Sequence, residues 1–467
     1  MTPKKQPVEL EFKPRSCWDV YATKKDRKAM DAMAKDYLAF LTRCKTERET
    51  VAYVREKALA AGFVEGVPAK AKTCFRSFKG KTIFLARKGR RPLREGFRLL
   101  AAHADTPRLD LKQRPLYEEC EVGLAKTHYY GGIRKYQWLA RPLALHGVVA
   151  LSDGRTVEVC IGENEGDPVL TIADLLPHLA QKQVEKKVSE AFEGEKLNIV
   201  MGHAPVAAEE GNGRNGNGKR IKRQMLELLH ARYGIAEADL YSAELQAVPA
   251  GPARPVGLDG SLLGGYGQDD RACVFGSLAA FLAEDTPEHC QIVLFYDKEE
   301  IGSEGATSAR SHFFEYCLRD LAEVWDKGVK PSEIYMNSKA ISADVHAPID
   351  PDYQDLHEKL NSALLGFGPC FCKFTGHRGK VGANDAHAEY VGWLRGVMDK
   401  AGVPWQMAEL GKVDQGGGGT VAKFLAVYGM DVIDFGPPVL SMHSPFELTS
   451  KADMYALALA LRAFLRS

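Results

Sequence analysis

Apolar residues at Met30, Met33, Tyr37, Leu38 and Leu41 recur at helical spacing within a charged stretch, so the chain from about Trp18 to Ala61 reads as helical with one buried stripe. TIFLARK (Thr82 to Lys88) and FRLLAAHAD (Phe97 to Asp105) read as strands. The second runs apolar and unbroken, as a strand covered on both faces does, and gives out at His103 and Asp105. From about Arg114 to Ala247 the texture turns aromatic and β-prone (THYYGGIRKYQWLARPLALHGVVAL, RTVEVCI), and the Gly/Asn-rich segment EEGNGRNGNGKR reads as a mobile loop. After Pro252 the pattern alternates again. A helix is expected from Asp270 to about Ala283, a strand over Gln291 to Tyr296, a strand around Glu333 to Met336, a helix near Asp385 to Ala401, a strand over Val432 to Gly436, and a terminal helix from about Lys451.

Such alternation predicts an α/β fold: a helix-covered mixed sheet forming a catalytic domain, interrupted by a large β-rich inserted domain. The chain of 467 residues is long for a single core, which agrees with a catalytic domain split into 1–113 and 248–467 around an inserted oligomerisation or lid domain at 114–247. Lys plus Arg (62) nearly balances Asp plus Glu (61), so no global field draws the chain to nucleic acid or an anionic membrane. The basic clusters RKGRRPLR and GKRIKRQ read as solvated faces, because no stacking aromatics interleave them. The ten scattered cysteines lack paired Cys-x-x-Cys knuckles and read as reduced thiols. With no apolar run near the ~20 residues of a membrane span and no signal-like N-terminus, a cytoplasmic location is expected.

Candidate chemistry gathers where apolar strand patterns stop, the place where open α/β sheets build sites. HADTP offers His103 as a ligand, with Asp105 two residues on and able to orient it. YGQDDRA places Asp269 and Asp270 at a strand-to-helix junction, where a helix N-terminus favours negative charge. FYDKEEIGSEG brings Asp297, Glu299 and Glu300 together; ISADVHAP adds Asp344 and His346; VLSMHSPFE adds His443. Crowded carboxylates repel one another unless a cation is present. Two His and three carboxylates from separated strand ends suit a pair of divalent ions bridged by one carboxylate. Zinc fits this mixed nitrogen and oxygen ligation, and manganese or cobalt could occupy the same ligands.

The ordered set HADTP, QDDR, DKEEIGS, SADVHAP and MHSPFE resembles the aspartyl aminopeptidase family of di-zinc exopeptidases, most closely its bacterial branch, over nearly the whole chain. The resemblance implies that His103 and Asp344 are terminal ligands of one ion, Glu300 and His443 of the other, and that Asp269 bridges both. Glu299 would be the general base and Asp105 the partner of His103. It also implies that the insertion mediates self-association into a tetrahedral dodecamer, in which His178 of LLPHLA reaches a neighbouring active site. Lys373 of FCKF matches a basic residue able to pair with an acidic substrate side chain or with the peptide. Two departures stand out: VDQGGGGTVAKFL replaces the family's proline-cysteine-glycine segment, and Gln268-Asp269-Asp270 replaces Leu-Asp-Asn.

The expected reaction is hydrolysis of the first peptide bond of peptide substrates by a water that the cations acidify and Glu299 deprotonates. His178 or His346 could donate to the developing oxyanion. The same ligands would also serve a di-metal deacylase or carboxypeptidase, and a non-catalytic assembly or trafficking particle is a further alternative. An adjacent unligated base such as Glu299 has no purpose in a purely structural zinc site.

Overall fold

The computed structural model describes residues 10–207, 219–284 and 286–467; the loop expected at EEGNGRNGNGKR lies outside these except for Lys219 and Arg220. The N-terminal helical region is three helices, Cys17–Val20, Lys24–Arg43 and Glu47–Ala60, and not one. Its periodicity is real, but two threonines break it. Thr23 caps the second helix, and Thr46 with Glu49 forms a reciprocal capping box that starts the third.

A nine-stranded sheet runs in the order Val64–Glu65, Thr73–Phe78, Thr82–Arg87, Cys290–Tyr296, Phe97–His103, Lys339–Ser342, Asp431–Gly436, Cys370–Cys372, Gln406–Met407. Its four middle strands, from Cys290–Tyr296 to Asp431–Gly436, are mutually parallel, while the flanking strands Thr82–Arg87 and Cys370–Cys372 pair antiparallel to them. The middle strands alternate between two cores. Leu100, Ala102, Val293, Phe295, Ile341 and Ile433 face one side, where Tyr37, Phe275, Leu394 and Leu457 come from the covering helices. Leu99, Ala101, Ile292, Leu294, Ala340 and Val432 face the other, against Phe314, Leu318, Ile334 and Leu425. Burial on both faces explains the unbroken apolar runs in sequence. Each buried Val, Leu, Ile or Phe among them contributes roughly 1.5–3 kcal/mol.

One expected strand is corrected. Glu333 to Met336 lies in the helix Pro331–Met336, started by Pro331 in the first turn, and the strand comes later at Lys339–Ser342. A short apolar run with alternating polarity suits either state, and the proline tips it to helix. The helix expected from Asp385 begins at Ala388.

A second, antiparallel sheet of seven strands runs Thr156–Ile161, Leu143–Ala150, Ala243–Pro249, Arg108–Glu119, Val122–Tyr130, Ile199–Gly202, Thr171–Ile172, and has its own core around Trp138, Leu145 and Val248. Helix Arg220–Tyr233 covers it with Ile221, Met225 and Leu229. Buried polar contacts tie this unit to the N-terminal helices: Gln246 Nε2 donates to Glu47 Oε2 at 2.9 Å, and Lys45 Nζ donates to the Pro249 carbonyl at 2.8 Å. A third sheet, in the order Arg254–Val256, Leu262–Gly265, Glu447–Ser450, Val439–Leu440, sets the segment before Asp269 beside the turn that carries His443. No helix among the described residues is long and apolar enough to cross a membrane. All ten cysteines are free, with Cys120 exposed, Cys160 half-buried and the rest buried.

Gly436 ends one of the parallel strands against the chain that carries Asp344. A Cβ there would lie 1.9 Å from the Asp344 carbonyl oxygen and 2.5 Å from its carbon, so only glycine permits the approach. Gly436→Ala is expected to destabilise the metal-free protein by about 1–3 kcal/mol in urea unfolding. Gly392→Ala, at a helical position with open space around it, is expected to be neutral or stabilising by about 0.4–1 kcal/mol. Equal stability of the two variants would contradict this.

Candidate metal centre

The four parallel strands deliver their C-terminal ends to one crevice. Strand Phe97–His103 ends in His103, and its neighbour Cys290–Tyr296, in register with Tyr296 opposite His103, leads into the turn carrying Glu299 and Glu300. On the other side Ser342 pairs with Ala101, so Asp344 emerges beside His103. Helix Gln268–Leu282 brings Asp269 from above the sheet. Asp269 and Asp270 have non-helical backbone angles, with a cis peptide between them. His443 comes from the tight turn between Val439–Leu440 and Glu447–Ser450.

Asp269 stands between two imidazoles. His103 Nε2 lies 3.2 Å from Asp269 Oδ1, and His443 Nε2 lies 3.0 Å from Asp269 Oδ2. A second carboxylate approaches the same nitrogen of each ring: Asp344 Oδ1 is 4.0 Å from His103 Nε2, and Glu300 Oε2 is 3.5 Å from His443 Nε2. Ligands on a tetrahedral zinc with bonds of roughly 2.0–2.1 Å sit roughly 3.3 Å apart. The separations of Asp269 from His103 and His443, and of Glu300 from His443, are close to this spacing. His103, Asp269 and Glu300 form one close group of possible ligands, and His103, Asp270 and Asp344 a second. Asp269 Oδ1 and Glu300 Oε1 are buried without a hydrogen-bond partner, as ligand atoms would be.

Electrostatics point the same way. Burial, then the neighbouring Asp269 charge, pushes Glu300 well above the carboxylate range; burial, then Asp270, does the same to Asp344. Burial and the surrounding acids lift Glu299 to about 7. Burial disfavours the charged form of His443, yet Asp269 and Glu300 outweigh it and raise its pKa to about 10. Without cations this many buried acids hold protons that a metal would displace.

The candidate ligands are held from behind. His103 Nδ1 lies 3.0 Å from the Asp105 carbonyl oxygen and 3.5 Å from its carboxylate, which leaves Nε2 aimed at the crevice. The Asp105 carboxylate also accepts from the backbone N–H groups of Glu299 (3.1 Å) and Glu300 (3.2 Å) and from Tyr130 Oη (2.8 Å). One residue, through its carbonyl and its carboxylate, thus fixes both His103 and the acidic turn. His443 Nδ1 is held by the Gly132 carbonyl at 3.0 Å.

The site opens into a cavity of about 570 Å³ lined by His103, Asp269, Glu299, Glu300, Asp344, His346 and His443. His346 is buried, and burial pushes its pKa down to about 4, so the ring is neutral; its Nε2 has no partner. Lys373 is not in the cavity wall and pairs with Asp385 at 2.7 Å. Arg378, Lys380, Lys412 and Lys423 supply cations to the wall instead. His178 is exposed on the second unit, in the short turn Pro177–Leu179, outside the cavity of its own chain. Sequence reasoning passed over Tyr130 and Gly132, although HYYGG sits among aromatic and glycine signals, and Glu447, the last residue of MHSPFE.

Comparison with known proteins agrees with this geometry. The family model described as aminopeptidase I zinc metalloprotease (M18) matches residues 40–465. A "Probable M18 family aminopeptidase 1" of Clostridium acetobutylicum is 44% identical over 472 residues, covering 99% of this chain and 100% of that relative. The crystal structure of an M18 family aminopeptidase from Thermotoga maritima is 43% identical, covers 98% of this chain and 100% of its own, and superposes with a TM-score of 0.91. The S. cerevisiae mApe1 dodecamer, at 18% identity, shares the fold over 94% of this chain with a TM-score of 0.73. The chain belongs to the M18 family of zinc metalloproteases, and it is a zinc-dependent aminopeptidase that hydrolyses peptide bonds.

Proposed function

We propose that the chain removes N-terminal residues with two ions per subunit, His103 and Asp344 serving one, Glu300 and His443 the other, and Asp269 both. The observation that carries this reading is that the two oxygens of Asp269 each face a different imidazole, at 3.2 and 3.0 Å. Zinc is the family's metal, and manganese or cobalt would suit the same donors. When bound, the ions supply Lewis acidity to a water and to the scissile carbonyl.

The chain's own residues do the rest. Glu299, with a pKa near 7 and a place in the cavity wall, takes the proton of the attacking water and returns it to the leaving amine. Asp105 holds Glu299 in position through the backbone N–H of that residue. His346, buried and unpartnered at Nε2, would donate to the carbonyl oxygen as negative charge grows there in the tautomer that carries its proton on Nε2. An acidic N-terminal residue is favoured by the wall cations Arg378, Lys412 and Lys423. Lys373, engaged by Asp385, is left a supporting role in holding that loop.

The second unit, residues 114–247, is proposed as the assembly and lid domain of a cytoplasmic homododecamer. Its support is the S. cerevisiae mApe1 dodecamer, which shares the fold, together with the exposed apolar residues Leu175, Leu176 and Leu179 around His178. In this reading His178 completes the oxyanion site of a neighbouring subunit.

Glu299→Gln is expected to keep both ions and lose turnover on an aminoacyl amide by on the order of 10²–10⁴-fold, since an amide cannot accept the proton. Substantial turnover by the metal-loaded variant would remove Glu299 as the base. His178→Ala is expected to lose on the order of 100-fold in turnover with metal content unchanged. Part of the activity should return when His178→Ala and Glu299→Gln subunits are exchanged into hybrids, because some sites then combine an intact Glu299 with an intact His178. Verified hybrids without recovered activity would rule out the shared site.

A further inference from the structure

We propose that Glu447 is a positioning residue that sets the bridging Asp269 and the ligand His443 in one frame. The assignment rests on the two-ion reading above and adds a group that neither ligates nor lines the cavity. Glu447 is completely buried and opens the strand Glu447–Ser450, opposite Gly265. Its Oε2 accepts the backbone N–H of Gln268 at 2.5 Å and of Asp269 at 3.2 Å, and its Oε1 accepts the backbone N–H of His443 at 2.8 Å.

Each of these bonds meets a local need. Gln268 and Asp269 lie in the kinked turn that leads from Gly267 into the helix, and Gly267 has no side chain to accept their N–H groups. Glu447 supplies that acceptor from a segment about 180 residues away in sequence. His443 has φ +65°, a left-handed conformation uncommon for residues other than glycine. The bond from its N–H to Glu447 holds it there.

The frame extends outward. Gln268 Nε2 donates to the Glu447 carbonyl at 2.6 Å and to the Leu263 carbonyl at 3.0 Å, and its Oε1 accepts from Tyr37 Oη at 3.1 Å. A chain of hydrogen bonds therefore runs from the N-terminal helix through Gln268 and Glu447 to two ligands on different segments. One carboxylate with two oxygens spans both limbs. A glutamine keeps its size but offers one acceptor and presents an NH₂ to the other limb. An aspartate keeps both oxygens but is one methylene too short to reach both limbs.

The test uses the full-length protein with zinc as the probe. Zinc affinity is measured by chelator competition and ion number by native mass spectrometry for wild type, Glu447→Gln, Glu447→Asp and His443→Ala. Both Glu447 variants are expected to bind zinc about 10–100-fold more weakly than wild type. Their kcat should recover toward wild type as zinc is raised, with KM unchanged, which a merely misfolded site would not do. If Glu447→Gln fails to fold, Glu447→Asp decides by the same readout. Wild-type zinc affinity in the folded variants, or an activity loss that zinc does not restore, overturns the positioning role. Unchanged zinc content in His443→Ala overturns the two-ion assignment beneath it. Lowered content there, with wild-type affinity in the Glu447 variants, overturns the positioning role alone.

Discussion

Mutual repulsion among buried carboxylates is the constraint around which this molecule is built. Asp105, Asp269, Asp270, Glu299, Glu300 and Asp344 converge at the C-terminal edge of four parallel strands, and burial, then the neighbouring acids, push most of them toward the protonated state. Only imidazoles, backbone N–H groups and cations can offset such a concentration of charge. The fold supplies the first two directly. His103 and His443 flank Asp269 and hold it below the ordinary carboxylate range despite its burial, and the His103 ring, then the Tyr130 hydroxyl and the Arg108 charge, hold Asp105 down against its burial, while the N–H groups of Glu299 and Glu300 bond its carboxylate. The zinc chemistry of the M18 family supplies the third.

That constraint explains why the framework is rigid where it is. The sheet is buried on both faces, so a slip of one residue would exchange its two cores and carry His103 and Glu300 away from each other. Gly436 allows two chains to meet at a separation no side chain permits, and this meeting sets Asp344. The second sheet contributes more than bulk: Tyr130 and Gly132, from the segment that leaves it, touch Asp105 and His443 respectively. A change in how that unit sits would therefore be felt at the ligands.

Much of this was legible in the sequence for a physical reason. A strand covered on both faces must be apolar throughout, so the first charged residue after such a run marks the sheet edge, and HADTP, DKEEIGS and SADVHAP each end a run in that way. The α/β class, the β-rich second unit and the family resemblance follow from the same pattern and agree with the M18 match. What escaped is interaction between backbone and distant side chain. Glu447 acts on Gln268 and Asp269, and Tyr130 on Asp105, through contacts that leave no periodic trace. The strand expected at Glu333–Met336 failed because five or six residues cannot distinguish the two periods when a proline stands at the first position. Lys373 looked available as a cation, and the partner that occupies it, Asp385, lies twelve residues on in a loop with no regular pattern.

In the two-ion reading proposed above, one carboxylate, Asp269, serves both ions at once. Asp269→Asn keeps the shape of the residue and removes its charge, so metal analysis and zinc affinity on the folded variant give the sharpest test. Both ions are expected to be weakened together, with the five remaining acids of the crevice left less neutralised and activity lost with the metal. Two ions held in Asp269→Asn as tightly as in the unaltered chain, or the loss of one ion with the other unaffected, would contradict it.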